Sequence, residues 1–455
     1  MLTIEQRMAL GKKLRERAPR SSHGDWKPPS NRLDPLALLR QSDQGRLPAL
    51  LPIRYERMRA SPFAFLRGAA AVMAADLSTT AATGVRVQAC GDCHVGNFGG
   101  FGTPERQLVF DINDFDETVP APWEWDLKRL AASVLVANRV AGFAESRCRD
   151  NARLTAEAYR AHMHRYAEMP ALGVWYSHLD LSLLADHAPT PAARKRWQRV
   201  IAAAARRTPG RDFPRITALR RGKPRIADRP PLIYHPRDKA LLGRHVRRMF
   251  HLYRETLPPE RRIVLDRYEL VDVARKVVGV GSVGTRCAVA LLMAGAHDPL
   301  LLQFKEARRS VLEPYTAASR FENQGQRVVV GQRMLQSASD VFLGWTRDDN
   351  GHDYYFRQLH DMKFKIDLEA MTPADWNEYA GLCGWALARA HARTGDAALL
   401  SGYMGKSDVF DQAIARFATT YANQTEADYQ CFMRQPNRSK RGGATARVAS
   451  EGQFA

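Results

Sequence analysis

Two residues of the kind that serve phosphoryl transfer lie close together in the glycine-rich stretch CGDCHVGNFGGFG: Asp92 and, five positions later, Asn97. Phosphoryl transfer needs a carboxylate that accepts the proton of the attacking hydroxyl. It also needs amide and carboxylate oxygens that hold Mg²⁺ against the phosphates. We therefore interpret Asp92 as a catalytic base and Asn97 as a catalytic residue that also binds metal.

An acidic run follows this stretch and contains Asp111, Asp114, Asp116 and Glu117. Four carboxylates this close repel one another unless a cation or basic side chains accompany them, although each alone could be a turn or cap residue. Asp111 and Asp114 follow Asn97 by 14 and 17 positions, enough for a hairpin that brings them to one ion. We expect Asp111 and Asp114 to be metal ligands. The spacing leaves open which of the three aspartates binds.

A literal GxGxxG motif lies further along the chain and supplies the cofactor-binding candidates Gly279, Gly281, Ser282 and Gly284. Such a loop covers phosphates in protein kinases, binds pyrophosphate in Rossmann enzymes, or is an ordinary turn. In the kinase interpretation Lys305, at the end of a strand, contacts the phosphates. In the Rossmann interpretation CAVALLMAG is a helix and Glu306 binds a ribose. We favour the kinase interpretation because a Rossmann enzyme does not need the Asp92 loop.

Several other residues have side chains that could bind a metal, a haem or a phosphate, or could position the catalytic loop. Cys90, Cys93 and the following histidine fit the pattern for haem attachment, and the two cysteines fit half of a zinc or redox site. We expect incidental thiols, because no export signal and no second cysteine pair is present. We expect Arg67 to form a surface or interdomain salt bridge in preference to a phosphate contact. Asp126 either braces the catalytic loop or simply places charge at a helix N-terminus.

Composition indicates a globular protein with an uneven basic charge. The chain has 455 residues and a formal charge of +20, and residues 194–262 contain 21 Lys/Arg against 5 Asp/Glu. This segment is either a solvated basic surface or attracts phosphates, nucleic acid or an acidic partner. Six cysteines are too few for a disulfide scaffold, and no apolar stretch reaches the roughly 20 residues of a membrane span. The N-terminus lacks a secretory signal, so we expect a cytoplasmic protein.

Periodicity predicts a helical region, a β-rich region and a helical end. Helices are predicted at Trp123–Val140 and Lys239–Glu255, with others from Pro62, over 372–393 and over 408–433. Strands are predicted at 85–89, 107–112 and from residue 262 onward. The domains that we expect are a helical extension packed on the helical lobe (1–87), a helical catalytic domain (88–261) with a basic insertion (208–236), a β-rich nucleotide-binding domain (262–365), C-terminal helices returning to the helical lobe (366–434) and a disordered tail (435–455).

The chain closely resembles a bacterial family catalogued as domain of unknown function 2252. The stretches that carry the resemblance include RYERMRASPFAFLRG, CGDCHVGNFGGFG, LVFDINDFDETVPAPWEWDLKRLAAS, GVGSVGTRC, QFKEA, GQRVVVGQRMLQ, FRQLHDMK and LARAHARTGD. They extend over most of the chain. The family name implies no activity.

More distantly, GDCHVGN, FDINDFDE and WDLKRLA are similar to aminoglycoside phosphotransferases and other kinase-like enzymes. That resemblance implies an α+β, two-lobed kinase-like fold, with Asp92 as base, Asn97 and Asp114 or Asp111 on metal, and Lys305 on the phosphates. Cys90 stands where those enzymes have histidine. The motifs also occur in the opposite order, with the catalytic loop first. We therefore expect a circularly permuted fold, in which Glu313, or failing that Glu322, pairs with Lys305.

These expectations together describe an ATP- and Mg²⁺-dependent phosphotransferase. Its acceptor would be a hydroxyl-bearing small molecule such as a sugar-, aminocyclitol- or lipid-like compound. Three alternatives stay open. They are AMP transfer on the same fold, a pseudokinase or basic module that binds nucleic acid or an acidic partner, and an NAD-linked oxidoreductase.

Overall fold

The computed structural model describes residues 2–186, 190–206, 213–214, 216–220, 223–236, 239–359 and 362–436. Parts of the basic segment 194–262 and nearly all of the predicted tail, from residue 437, lie outside the described residues. The fold is of the predicted mixed α+β class. Among the described helices, none is both long enough and apolar enough to traverse a bilayer.

The N-terminal region is helical, as its composition predicts. Its helices are α1 (Ile4–Arg17), α2 (Pro35–Ser42), α3 (Leu51–Met58), α4 (Pro62–Gly68) and α5 (Ala70–Leu77). Ser61 caps α4, since its hydroxyl accepts the N–H of Ala64 at 3.1 Å, and Pro62 supplies a φ suited to the first turn. The single apolar helix predicted from Pro62 is divided at Ala69, whose φ and ψ of −110° and 34° are not helical.

The region that follows combines short strands with a long buried helix. Its strands are β1 (Arg86–Ala89), β2 (Phe98–Gly102), β3 (Leu108–Ile112), β4 (Val119–Pro122) and β5 (Leu179–Asp180). Its helices are α6 (Trp123–Val140), α7 (Glu145–Glu168), α8 (Ala171–Tyr176), α9 (Leu181–Asp186) and α10 (Pro191–Ala205). Strands β1 and β4 form an antiparallel pair, and β2 and β3 form a hairpin. Helix α6 has the predicted bounds and is buried over nearly its whole length.

The β-rich region is built around a six-stranded antiparallel sheet. Its strands, with the small hairpin that precedes it, are β6 (Thr217–Arg220), β7 (Lys223–Ile226), β8 (Ile233–Tyr234), β9 (Glu269–Lys276), β10 (Cys287–Met293), β11 (Pro299–Ala307), β12 (Gly344–Arg347) and β13 (Asp353–Gln358). The order is β12-β13-β11-β10-β9-β8. Within the described residues, the segment 208–236, predicted as a basic insertion, contains the β6–β7 hairpin and strand β8.

Three helices accompany this sheet: α11 (Lys239–Glu255), α12 (Pro259–Leu265) and α13 (Gln324–Leu335). Apolar side chains of α11, Val246, Met249 and Tyr253, pack on one sheet face. The β character predicted from residue 262 begins only at β9, because 259–265 is helical. CAVALLM is strand β10, so the helix that the Rossmann interpretation requires after the glycine motif is absent from this described part of the chain.

The chain ends with three helices that return to the first helical region: α14 (Pro373–Ala392), α15 (Ala397–Met404) and α16 (Val409–Arg434). Just before them, β14 (Phe364–Lys365) joins β2 and completes the order β14-β2-β3-β5. Helix α14 packs along α7, α15 packs against α1, and α16 packs against α6 and α7. The largest apolar core lies among these helices and β1–β3.

Candidate functional site

A cavity of 150 Å³ lies where five segments meet. We call four of them the catalytic loop (residues 90–97), the acidic turn (113–117), the glycine loop (277–286) and the N-terminal segment (42–71). The fifth segment is residues 306–311, at and just after the end of β11. Among the residues to which the sequence assigned a catalytic, metal or cofactor role, those that line this cavity are Asp92, Asn97, Asp114, Gly279, Gly281 and Ser282. The structure therefore brings together two loops that are separated by more than 180 residues along the chain.

Asp126, in the first turn of α6, holds the catalytic loop in place. The Asp126 carboxylate accepts the backbone N–H groups of Cys90 at 2.6 Å and Gly91 at 2.9 Å. His391 of α14 contacts the same carboxylate at 3.2 Å, and its other ring nitrogen lies 2.9 Å from the Tyr159 hydroxyl. Asp126 therefore braces the loop, which was one of the two roles that its position suggested.

Asp92 forms a buried ion pair with Arg129. The Arg129 Nε lies 2.6 Å from Asp92 Oδ1, and the guanidinium also donates to the Leu66 carbonyl at 3.1 Å. Burial raises the pKa of Asp92, and the charge of Arg129 opposes that rise. Sequence reasoning missed Arg129, although it stands three positions after Asp126 on one helix, a spacing that places both on the same face.

Asn97 and Asp114 come together through the backbone. The Asn97 side-chain amide donates to the Asp92 carbonyl at 2.9 Å, and the N–H of Asn113 donates to the Asn97 carbonyl at 2.8 Å. The first bond uses the amide donor and leaves Asn97 Oδ1 as the atom that could coordinate a cation. The Asp114 carbonyl accepts a bond from the Cys90 thiol at 3.3 Å, which ties the acidic turn to the catalytic loop.

Asp111 does not fit the metal role that the sequence suggested. Its side chain is fully buried in β3 and does not line the cavity. Arg389 of α14 contacts both carboxylate oxygens, at 2.8 and 2.9 Å, and the N–H and hydroxyl of Ser337 each donate at 2.8 Å. The negative charge of Asp111 is therefore neutralised within the core.

The glycine loop connects β9 to β10 and faces the acidic turn. Ser282 Oγ lies 3.3 Å from Asp116 Oδ2, and the Tyr355 hydroxyl donates to Asp116 Oδ1 at 2.8 Å. The Lys305 ammonium in β11 pairs with the same carboxylate. Burial opposes the charge of Lys305, but Asp116 outweighs it and raises the pKa of the lysine. Gly284 does not line the cavity, and its carbonyl accepts the N–H of Leu47 at 2.8 Å.

Glu313 does not pair with Lys305, contrary to our expectation, and Asp116 takes that place. Glu313 instead accepts Arg309 Nε at 3.1 Å and lies 4.0 Å from Arg327. Arg327, in α13, donates to the Asp116 carbonyl at 2.8 Å and so orients the acidic turn. Glu322, the second choice, accepts a bond from Arg347 through its backbone carbonyl.

Glu117 closes the acidic turn and lines the cavity. The Val311 N–H donates to its carboxylate at 2.7 Å, and the Ser310 hydroxyl donates to its carbonyl at 2.7 Å. Burial raises the pKa of Glu117 to about 7, and neighbouring Asp116 and Asp92 add to the rise. This carboxyl therefore titrates close to neutral pH.

Arginines form much of the cavity lining, and sequence patterns did not indicate most of them. The cavity-lining arginines are Arg46, Arg54, Arg67, Arg308 and Arg309. Arg46 donates to the Val283 carbonyl at 2.6 Å and so holds the glycine loop. Arg67 lies inside this cavity, and neither the surface nor the interdomain salt bridge that we expected for it occurs among the described residues.

The donor set fits a magnesium ion that arrives with phosphates. No group of three or more His, Cys, Asp or Glu able to hold a metal occurs among the described residues. Mg²⁺ is commonly bound by only one or two carboxylates together with substrate phosphates and waters. Asp114 and Asn97 offer that partial shell. Cys90 and Cys93 are buried free thiols.

The fold and site together define a mixed α+β protein with a highly charged cavity between helical and β-rich segments. The chain belongs to the family described as "Uncharacterized protein conserved in bacteria (DUF2252)", whose match covers residues 46–435. This confirms the close resemblance found from sequence. Neither a curated protein nor a solved structure matches the chain. The match begins at Arg46 and includes every cavity residue except Ser42.

Proposed function

We propose that this protein is an ATP- and Mg²⁺-dependent phosphotransferase of kinase-like, circularly permuted fold. One observation carries the proposal: Asp92, Asn97 and Asp114 line the same cavity as the glycine loop, although Gly279 follows Asp92 by 187 positions. Phosphoryl transfer needs a base beside the acceptor hydroxyl, and a metal site and a phosphate-binding loop beside the donor phosphates. The residues that we propose for all three line this one cavity.

The order of elements around the glycine loop supports the same proposal. The loop joins β9 to β10, Lys305 lies in β11, and α13 follows. Protein kinases likewise have a glycine loop, then a lysine on the third strand, then a helix that supplies the partner of that lysine. Here Asp116 is the partner. Because this unit follows the catalytic loop instead of preceding it, the arrangement we propose is a circular permutation.

In this proposal Asp92 accepts the proton of an acceptor hydroxyl while the hydroxyl oxygen attacks the γ-phosphate. The bond between that phosphorus and the bridging oxygen breaks, and ADP leaves with the electron pair. Asn97 and Asp114 would hold Mg²⁺, which when bound supplies positive charge against the phosphates. The glycine loop would cover the phosphates. Lys305 is not among the residues that line the cavity, so in this proposal it contacts the phosphates only by exchanging Asp116 for them.

The acceptor that suits such a site is a hydroxyl-bearing small molecule. A direct test incubates the protein with Mg²⁺, a panel of sugars, aminocyclitols and lipid headgroup alcohols, and ATP labelled at either the γ- or the α-phosphate. We expect the γ-label to reach an acceptor. Transfer of the α-label would instead establish nucleotidyl (AMP) transfer, the alternative chemistry for the same site.

Asp92→Asn provides the matching variant. We expect turnover to fall by about 100-fold or more, the usual contribution of a general base. ATP binding should persist, and stability should fall by at most about 2 kcal/mol, because the amide oxygen still accepts from Arg129. Glu105→Gln, exposed in the turn between β2 and β3, serves as the control and should leave turnover unchanged.

One result would contradict the enzyme proposal: a wild-type protein that neither binds ATP nor moves either label. That result would favour the alternative of a basic binding module. Such a module would bind an anionic partner through residues 194–262, with an affinity that falls steeply as salt rises.

A further inference from the structure

Arg67 lies where the glycine loop meets the catalytic loop. Arg67 lies near the end of α4. A Cβ placed on Gly281 would lie 3.1 Å from the carbonyl oxygen of Arg67. The tip of the glycine loop therefore rests on the Arg67 backbone. Its side chain lines the cavity together with Asp92 and Asp114.

The charge of the Arg67 guanidinium faces the two groups that the proposed chemistry uses. Burial lowers the pKa of Arg67, and the negative charges of Asp92 and Asp114 partly offset that effect. Its Nε atom is buried and has no hydrogen-bond partner among the described residues. The Phe63 ring, 5.9 Å from the guanidinium carbon, supports one side of the group. A buried N–H donor without an acceptor is costly, which indicates that a ligand completes this site.

The other cavity arginines already bond to the protein through other atoms, although Arg54 Nε, like Arg67 Nε, has no partner among the described residues. Arg54 donates to Asp43 at 2.9 Å and to the Gly68 carbonyl at 2.8 Å. Arg46 and Arg308 donate to backbone carbonyls, and Arg309 pairs with Glu313. These contacts give the four arginines structural roles, so Arg67 is the arginine best placed to bind a ligand.

We propose that Arg67 binds the terminal phosphate of the nucleotide and stabilises the charge on the phosphoryl group as it transfers. This inference rests on the proposed function and deepens it. During transfer the acceptor proton goes to Asp92, the new oxygen–phosphorus bond forms and the bond to ADP breaks. Throughout, Arg67 N–H groups donate to the non-bridging oxygens. Arginines placed in this way on phosphoryl groups accelerate transfer strongly, and one supplied by the same chain can do so.

The test compares two nucleotides whose difference is the terminal phosphate. Binding of Mg²⁺-ADP and of Mg²⁺ with a non-hydrolysable ATP analogue is measured by calorimetry for wild type and Arg67→Gln. We expect the variant to bind the analogue at least about 10-fold more weakly and ADP within about 2-fold, because a charge-assisted hydrogen bond to the third phosphate is lost. Turnover of γ-labelled ATP should fall by about 100-fold or more.

Arg40→Gln is the control, because Arg40 lies in the same N-terminal region but is exposed and pairs only with Asp34 among the described residues. It should change neither binding nor turnover. Arg67→Lys serves as a second variant if Arg67→Gln does not fold, and we expect it to lose analogue binding to a smaller extent. Equal weakening of both nucleotides, or no weakening, would overturn the role of Arg67. Wild-type protein that binds neither nucleotide would instead overturn the proposed function.

Discussion

The two loops that meet at the cavity are held in different ways. The catalytic loop is held from inside, by buried polar side chains of α6 and α14 centred on Asp126. The glycine loop is held from outside, by the N-terminal segment. Leu47 donates to the Gly284 carbonyl, and Arg57 donates to the Gly279 carbonyl at 2.5 Å.

The apolar side chains of the glycine loop also pack on the N-terminal segment and its neighbouring helices. Val280 packs with Leu39, Met58 and Phe65 of the N-terminal helices, and Val283 packs with Leu50. A loop held by a few hydrogen bonds and two apolar side chains against peripheral helices can open without unfolding the core, whereas a loop tied to buried charges cannot. The comparison indicates that the side of the cavity formed by the glycine loop depends on the N-terminal segment, while the side formed by the catalytic loop belongs to the core.

Matched glycine substitutions should give the largest difference between the loops. Gly91 and Gly279 both have positive φ, 88° and 65°. A Cβ on Gly91 would lie 2.3 Å from the Glu117 carbonyl oxygen, whereas on Gly279 the nearest atom would be 3.9 Å away. We expect Gly91→Ala to cost about 3 kcal/mol or more, from strain plus a backbone clash, and Gly279→Ala only about 1–2 kcal/mol. Urea unfolding of both variants measures this. Equal losses of unfolding free energy in the two variants would contradict the distinction between a loop held by the core and a loop held by the N-terminal segment.

Arg46→Ala should loosen one loop and spare the other. It removes the 2.6 Å bond to the Val283 carbonyl and the 2.9 Å bond to the Ser42 carbonyl. We expect a loss of about 1–2 kcal/mol in global stability, the worth of such bonds to a charged donor. Amide hydrogen exchange should become faster in the glycine loop.

Exchange in the catalytic loop provides the internal control for Arg46→Ala. Those amides are bound to Asp126, so their protection should change only by the global loss of stability. Faster exchange in both loops to the same extent would mean that the N-terminal segment holds the whole site and not the glycine loop alone.

Local patterns in the sequence predicted the elements well, and for a physical reason. Helix α6 and strand β3 were placed at or near their true bounds because apolar periodicity and proline positions act locally. The co-location of Asp92, Asn97 and Asp114 was also foreseeable, since a hairpin joins them. What the sequence could not show was which carboxylate a distant cation neutralises.

Asp111 and Glu313 are the two cases in which this limit produced errors. The partner of Asp111, Arg389, lies 278 positions away, and the partner of Lys305 turned out to be Asp116, 189 positions away. Spacing along the chain says nothing about such contacts, because they depend on how α14 and the sheet pack against the acidic turn. By contrast, Asp126 and Arg129 lie three positions apart on one helix, so their shared face could have been predicted from the sequence.

The smallest effect that we expect lies outside both loops, in the β-rich part. It tests whether an ion-pair cluster there makes the unfolding free energy depend on pH. His235 bridges Asp228 and Asp272, with ring nitrogen to oxygen distances of 2.8 and 2.9 Å. Burial opposes its charge, but the two aspartates outweigh burial and raise the pKa of His235. Because the folded-state pKa lies above the unfolded value of about 6.5, the added stability is complete below that pH. It is then lost as the pH rises through the folded-state pKa.

His235→Gln should therefore destabilise the protein by no more than about 1 kcal/mol at pH 6, and by less at higher pH, because the neutral amide keeps only part of the bridge. Urea unfolding at several pH values between 6 and 9 measures the difference from wild type. His251→Gln, an exposed site on α11, is the matched control and should give a difference that does not change with pH. If the difference for His235→Gln grew as the pH rose, the sign would be wrong, and the aspartate bridge would not be what stabilises the charged ring.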